Sequence, residues 1–295
     1  MKKVLITAAA GDTGRPAVAA LLEKGFQVRA LVRRDDARAQ KLRDLGAEVM
    51  IGDMTSLRDI RAAMAGMQLA YFCYPVQEGL VENAVIFAQA AKEQNLELIV
   101  NMSQKQSRPY AHSKTTQNHW LSEQVFNWSG VPTVHLRVTF FMEWLLYISS
   151  KIKYGRYMMP FNRENRFAPL AAKDTGAIIA GMMEHPEKYA GQAIALHGPV
   201  EYSHEQLAAE VSRVLGKDLP YERVTVSVFL EAIGLQDQTA LRKHIEAVTI
   251  DQQEGLLAGL DPIGAAILGR PLTTVEAFIH ENRSAFELHY PMKSS

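Results

Sequence analysis

Residues 2–16 read Lys2-Lys3-Val4-Leu5-Ile6-Thr7-Ala8-Ala9-Ala10-Gly11-Asp12-Thr13-Gly14-Arg15-Pro16. Val4, Leu5 and Ile6 sit at the centre of an apolar run over residues 3–10, which predicts a strand. Gly11 and Gly14 follow, and Arg15-Pro16 opens a segment with helical spacing at Val18, Leu21 and Leu22. A strand that turns through glycines into a helix leaves free backbone N–H groups at a positive helix end. That is a cradle for a pyrophosphate. The complete dinucleotide signature has glycine at positions 8, 11 and 14, and position 8 here is Ala8. Two glycines alone also fit a plain strand-to-helix turn, so the chain beyond them decides.

Beyond them, apolar strands alternate with helical stretches. Gly25 ends the first helix near Lys24, and strands are predicted over 26–32, 47–51, 69–74, 96–102 and 133–138. Helices are predicted over 35–45, 57–65, 81–92 and 113–128, with Ser56 as a cap and Gly46 and Gly66 as stops. Gly130-Val131-Pro132 turns into the sixth strand. These strands are apolar throughout instead of alternating, so the class is α/β, with a parallel sheet covered by helices on both faces.

Past residue 150 the rhythm changes. Residues 154–160 and 162–165 read as loop, 173–184 as a helix started by Asp174, and 192–196 as a strand. Ser203 and Gln206 make a capping box ahead of 207–215, and helical patterns run over 228–233, 241–257 and 272–286. The expected organisation is a nucleotide-binding domain over 1–155 and a smaller, mostly helical substrate-covering domain over 156–295. The boundary is soft, because 167–197 also fits a return to the sheet.

The chain of 295 residues is 47% apolar and 22% charged, with a formal net charge of zero. That balance argues against nucleic acid or an anionic membrane as the main partner. The single cysteine, Cys73, excludes an internal disulfide and any Cys-rich metal site, and no metal is expected. The start resembles a signal peptide, with two lysines and a short apolar stretch, but the stretch is short for that purpose and the glycine turn calls for a structural role. A cytoplasmic protein is expected. Glu143 interrupts the longest candidate span, at 140–148, so no membrane-crossing segment is expected.

The second strand ends in Val32-Arg33-Arg34. NAD-binding folds place an acid there for the ribose 2′-hydroxyl; a guanidinium suits a 2′-phosphate. NADP(H) is therefore expected over NAD(H), although Asp35 and Asp36 follow closely. Gly52-Asp53 ends the third strand, where Asp53 either faces the adenine amine or starts a turn.

Together these pieces resemble the NmrA-like branch of the short-chain dehydrogenase/reductase superfamily. The matching stretches are residues 7–16, Leu31-Val32-Arg33, Gly52-Asp53, and Gly130-Val131-Pro132 leading to His135-Leu136-Arg137 and Phe140-Phe141-Met142-Glu143. The resemblance implies a Rossmann-type doubly wound parallel sheet that binds NADP(H). It also implies one of two roles: a small-molecule reductase, or a sensor that binds the nucleotide and signals to a protein partner. The expected cofactor-binding set is Ala8, Gly11, Asp12, Thr13, Gly14, Arg33, Arg34, Asp53, Met54, Tyr74, Pro75 and Ser103. The family's glycine at position 8 is missing, and a methyl group near the pyrophosphate weakens the expected grip.

Short-chain reductases use a Tyr-x-x-x-Lys pair on one helix, where the ammonium lowers the tyrosine's pKa, and a serine at the end of strand five. The chain offers Tyr110-Ala111-His112-Ser113-Lys114, with Ser103 upstream. The NmrA-like register instead puts the helix glutamate at Glu123, a nicotinamide-side Lys or His at His119, and the tyrosine position at Thr115. Lys114 and His119 are five residues apart, so one straight helix cannot turn both toward the same ring. Phe140, Phe141 and Trp144 are candidates for a flat substrate pocket. The expected substrate is then a small, largely apolar or aromatic ketone or quinone. An epimerase or dehydratase that keeps its cofactor bound is a third reading, without a visible sugar-nucleotide pattern.

Overall fold

Val4, Leu5 and Ile6 are completely buried between two helical layers, as an unbroken apolar run requires. The computed structural model describes residues 2–287; Met1 and residues 288–295, the end of the expected C-terminal domain, lie outside the described residues. The first half runs β1 (Lys3–Ile6), α1 (Gly14–Glu23), β2 (Gln27–Val32), α2 (Ala37–Asp44), β3 (Glu48–Ile51) and α3 (Leu57–Met64). It continues with β4 (Leu69–Phe72), α4 (Leu80–Glu93), β5 (Leu98–Gln104), α5 (Lys114–Ser129) and β6 (Thr133–Val138). Next come α6 (Trp144–Tyr147), α7 (Ser149–Lys153), β7 (Tyr157–Met159), β8 (Arg166–Phe167), α8 (Ala172–Glu184), α9 (Pro186–Tyr189) and β9 (Ala193–Leu196). The remainder is β10 (Tyr202–Ser203), α10 (His204–Leu215), β11 (Tyr221–Arg223), α11 (Val226–Ala232), α12 (Thr239–Gln253), α13 (Ile263–Leu268), α14 (Val275–Glu281) and α15 (Arg283–Phe286).

Among the described residues the main sheet has seven parallel strands in the order β3-β2-β1-β4-β5-β6-β9. The α/β class and the doubly wound sheet are as expected. β9 brings the segment after residue 167 back to the sheet beside β6. Leu42 of α2, Val18 and Leu21 of α1 and Ile178 and Ile179 of α8 fill one face. Ile60, Phe87 and Phe126, from α3, α4 and α5, fill the other. Phe72, Phe87 and Phe126 meet with ring centroids 5.0–6.4 Å apart, a geometry worth about 0.5–1.5 kcal/mol per pair beyond area burial. A third core, with Leu207, Val211, Phe229, Ile245 and Phe278, belongs to the C-terminal helices.

Caps fix the helix starts. Ser56 accepts from Asp59 N, and Ser203 and Gln206 form the expected capping box. Asp36 caps α2 by accepting from Arg38 N and Ala39 N, so the helix begins at Ala37, two residues later than expected. Three readings need correction. Residues 157–159 are a strand paired in parallel with β11, not loop, because Tyr157, Met158 and Met159 are all buried. Asp174 does not start α8. It lies fully buried inside the first turn, where Thr273 N (2.6 Å) and Arg270 (2.9 Å) donate to it and tie the C-terminal segment to α8. The pattern over 272–286 breaks into α14 and α15 at Asn282, with α13 ahead of it.

Candidate functional site

The sheet order reverses between β1 and β4, and a crevice opens at the carboxyl ends of the strands there. Its floor is the glycine turn. Ala8 takes a left-handed φ of +46°, and its carbonyl accepts from Gly11 N at 2.9 Å. A Cβ on Gly14 would stand 2.2 Å from that same oxygen, so glycine is required at the start of α1. Thr13, the residue before it, turns its hydroxyl to Tyr71 Oη at 2.8 Å.

The crevice encloses about 1370 Å³ including its mouth, and is lined by Ala8, Gly11, Arg33, Arg34, Asp53, Met54, Tyr74 and Pro75 from the expected set. Asp12, Thr13 and Gly14 shape the turn without lining it; Asp12 accepts instead from Tyr147 Oη at 2.5 Å. Sequence reasoning missed Arg38, which also lines it. Arg38 donates two side-chain bonds to Asp36 (2.7 and 3.1 Å), which holds that carboxyl down at about 2. Asp35 pairs with Arg43 at 2.8 Å. Both acids after β2 are thus engaged with arginines, although Asp36 also lines the crevice beside Arg33, Arg34 and Arg38. Asp53 lines it too, and its carboxylate accepts from Thr55 N and Oγ1 (2.9 Å each), so it also holds the turn.

Tyr110 does not join the other catalytic candidates. Tyr110 is 90% exposed and precedes α5, whose start is fixed at Lys114 by the Ser113 cap. Tyr110 and Lys114 therefore share no helix face, and the premise of the Tyr-x-x-x-Lys reading fails. The Ser103 hydroxyl is buried and donates to Glu123 at 2.6 Å, while Arg137 holds Glu123 with two bonds (3.0 and 2.5 Å). His119 is buried; burial foremost, then neighbouring His244, pushes its pKa down to about 3. It is neutral at physiological pH and is no cationic proton donor there.

A second cleft of about 670 Å³, its open mouth included, lies beside the first, under α12. Pro75 and Gln77 line the nucleotide crevice and Val76 lines this cleft, so one loop borders both. Phe140, Phe141 and Trp144 form part of its wall, joined by Phe161, Thr139, Gln104 and Gln106, with Leu241, His244, Ile245 and Val248 from α12. Phe140 meets Trp144, Phe161 and Phe167 at ring-centroid distances of 5.9, 5.2 and 5.5 Å. His244 Nδ1 lies 2.8 Å from Ser113 Oγ and its Nε2 3.3 Å from Gln104 Nε2, which ties α12 to the start of α5 and the end of β5. The signal for α12 was in the sequence: residues 241, 244, 245 and 248 have the spacing of one helix face.

Sheet order, glycine turn and twin clefts define the class: a Rossmann-type nucleotide-binding protein with a helical cap over its strand ends. The chain belongs to the NmrA-like family, whose model matches residues 1–279. It is 25% identical over 287 residues to an NAD(P)H azoreductase of Xenophilus azovorans, an alignment covering 96% of this chain and 99% of that one. In fold it is similar to the NADPH-dependent quinone oxidoreductase of Escherichia coli solved with NADPH. That match has a TM-score of 0.81, 21% identity, and covers 95% of this chain and 99% of the other. NmrA, a negative transcriptional regulator solved with NADP, is similar too, with a TM-score of 0.78, 18% identity and coverage of 95% and 94%.

Proposed function

We propose that this protein is an NADPH-dependent reductase of small, largely apolar or aromatic carbonyl or quinone-type acceptors. The observation that carries the reading is the pair of clefts bordered by one loop. One is basic and built on a glycine turn; the other is aromatic and roofed by α12. Gly11, Gly14 and the Ala8 backbone fit a pyrophosphate, and Arg33 and Arg34 fit a 2′-phosphate, because the neighbouring acids are already engaged. When bound, the dihydronicotinamide supplies a hydride. The protein's own residues hold the acceptor flat against Phe140 and Trp144 and keep water from it. A conjugated acceptor needs little acid help, which suits a site where Tyr110 stands in solvent and His119 is neutral.

In this reading residues 1–155 bind the nucleotide and the later helices cover the substrate, with β9 belonging to the sheet. The protein acts in the cytoplasm on small molecules and not on nucleic acid. No helix among the described residues is long and apolar enough to cross a membrane. The separation of Tyr110 from the helix favours one rival, a sensor that binds NADP(H) without turnover and responds through a protein partner. NADPH oxidation against a panel of quinones, aryl ketones and azo dyes distinguishes the two. Turnover on at least one acceptor supports the reductase; tight NADPH binding with no turnover on any acceptor replaces it with the sensor.

A further inference from the structure

The glycine turn runs into a helix whose start is left open. Thr13, at the N-cap of α1, makes no capping bond with its side chain; its hydroxyl is turned to Tyr71 Oη at 2.8 Å. The first N–H groups of α1 are therefore available to an anion. One anion belongs to the chain itself. Asp12 stands between Gly11, which lines the nucleotide crevice, and Thr13. A short acidic side chain at such a place can fold back onto nearby backbone N–H groups. Asp12 does not. Its carboxylate accepts from Tyr147 Oη of α6 at 2.5 Å, and among the described residues no lysine or arginine pairs with it. One turn earlier in α6, Trp144 forms part of the aromatic cleft's wall and meets the Tyr147 ring edge-on at 6.0 Å.

We propose that Tyr147 is a positioning residue for the cofactor: its hydroxyl holds the Asp12 carboxylate away from the pyrophosphate's seat. The proposal rests on the nucleotide-binding part of the reductase reading and requires no turnover. Released from Tyr147, the carboxylate would compete with the pyrophosphate for the open N–H groups of α1. It would also stand well inside a Debye length of the phosphates, where like charges are poorly screened. The tyrosine hydroxyl removes both obstacles with one hydrogen bond to a charged acceptor, among the stronger kinds a neutral donor can make.

The test is calorimetric titration with NADPH of the wild type, Tyr147→Phe, Asp12→Ala and the double variant. Tyr147→Phe removes one oxygen from a side chain that is 47% exposed, so it leaves no cavity. The expected result is NADPH binding weakened about 3- to 10-fold in Tyr147→Phe, and binding by the double variant within about twofold of Asp12→Ala. Without the carboxylate there is nothing for the hydroxyl to hold. A loss as large in the Asp12→Ala background as in the wild type overturns the proposal, because it shows that Tyr147 acts only by supporting Trp144 and the cap. Equal binding by the wild type and Tyr147→Phe overturns it and leaves the nucleotide reading intact. No binding by the wild type overturns both. Tyr147→Leu removes the same donor and takes the place of Tyr147→Phe if that variant does not fold.

Discussion

At the residue scale, Ala8 carries the chain through the tightest point of the nucleotide crevice. Its φ of +46° is a left-handed conformation that costs an L-residue about 1 kcal/mol and a glycine almost nothing. The turn holds that conformation because the Ala8 carbonyl receives Gly11 N and packs against Gly14. Ala8→Gly should therefore raise stability by roughly 0.5–1 kcal/mol, read as a higher urea midpoint, without weakening NADPH binding. A lower midpoint would mean that the methyl group makes a packing contact outweighing the strain. Gly11 and Gly14 were legible in the sequence because a missing Cβ is itself the signal. Tyr110 and Lys114 were not, because two residue types at a spacing of four do not say where a helix begins. Ser113 says it, by capping α5 and leaving Tyr110 in solvent.

At the element scale, α1 and α8 touch through Gly176. A Cβ there would stand 2.5–2.7 Å from the Pro16 carbonyl carbon, Ala17 N and Pro16 Cβ, all in the first turn of α1. Gly176→Ala must push the two helices apart and with them the glycine turn. The expected cost is roughly 1–3 kcal/mol in thermal or urea unfolding, together with weaker NADPH binding. Unchanged stability would show that α8 shifts freely on the sheet. The six core strands could be read from the sequence because buried parallel strands are continuous apolar runs. β7 and β11 were missed because they are three residues each, too short for periodicity to register, and gain their identity only by pairing with each other. Asp174 was misread as a cap because the sequence carried no hint that Thr273 and Arg270, about a hundred residues away, would claim its carboxylate.

At the scale of the whole molecule, packing buries His119 and His244 where α12 meets α5, and His204 among Phe161, Phe167 and Tyr221 of the C-terminal part, and burial pushes their pKa values down to about 3, 4 and 4. A base with a depressed pKa contributes stability that is present above its ordinary value near 6.5 and is lost as pH falls toward the folded value. Glu143, half-buried where its carboxylate accepts from Ala172 N, has its pKa raised by burial to about 7. Its contribution has the opposite sign, present at low pH and lost as pH rises through about 7. Three histidines outweigh one glutamate below pH 6.5, so stability should rise from about pH 4 to about pH 6.5 and then flatten or fall slightly toward neutrality. Urea midpoints across this range test it. His204→Gln should make the acid slope shallower, and Glu143→Gln should remove the decline near neutrality. An acid slope as steep in His204→Gln as in the wild type would mean that His204 is already charged in the folded protein.

The cradle and its two arginines underlie every functional statement made of this chain, and calorimetric titration of the purified protein with NADPH and with NADH tests them most directly. Binding of NADPH at micromolar or better, tighter than NADH, with most of the difference lost in Arg33→Ala, is the predicted result. No binding of either nucleotide, or equal losses for both in Arg33→Ala, would contradict it.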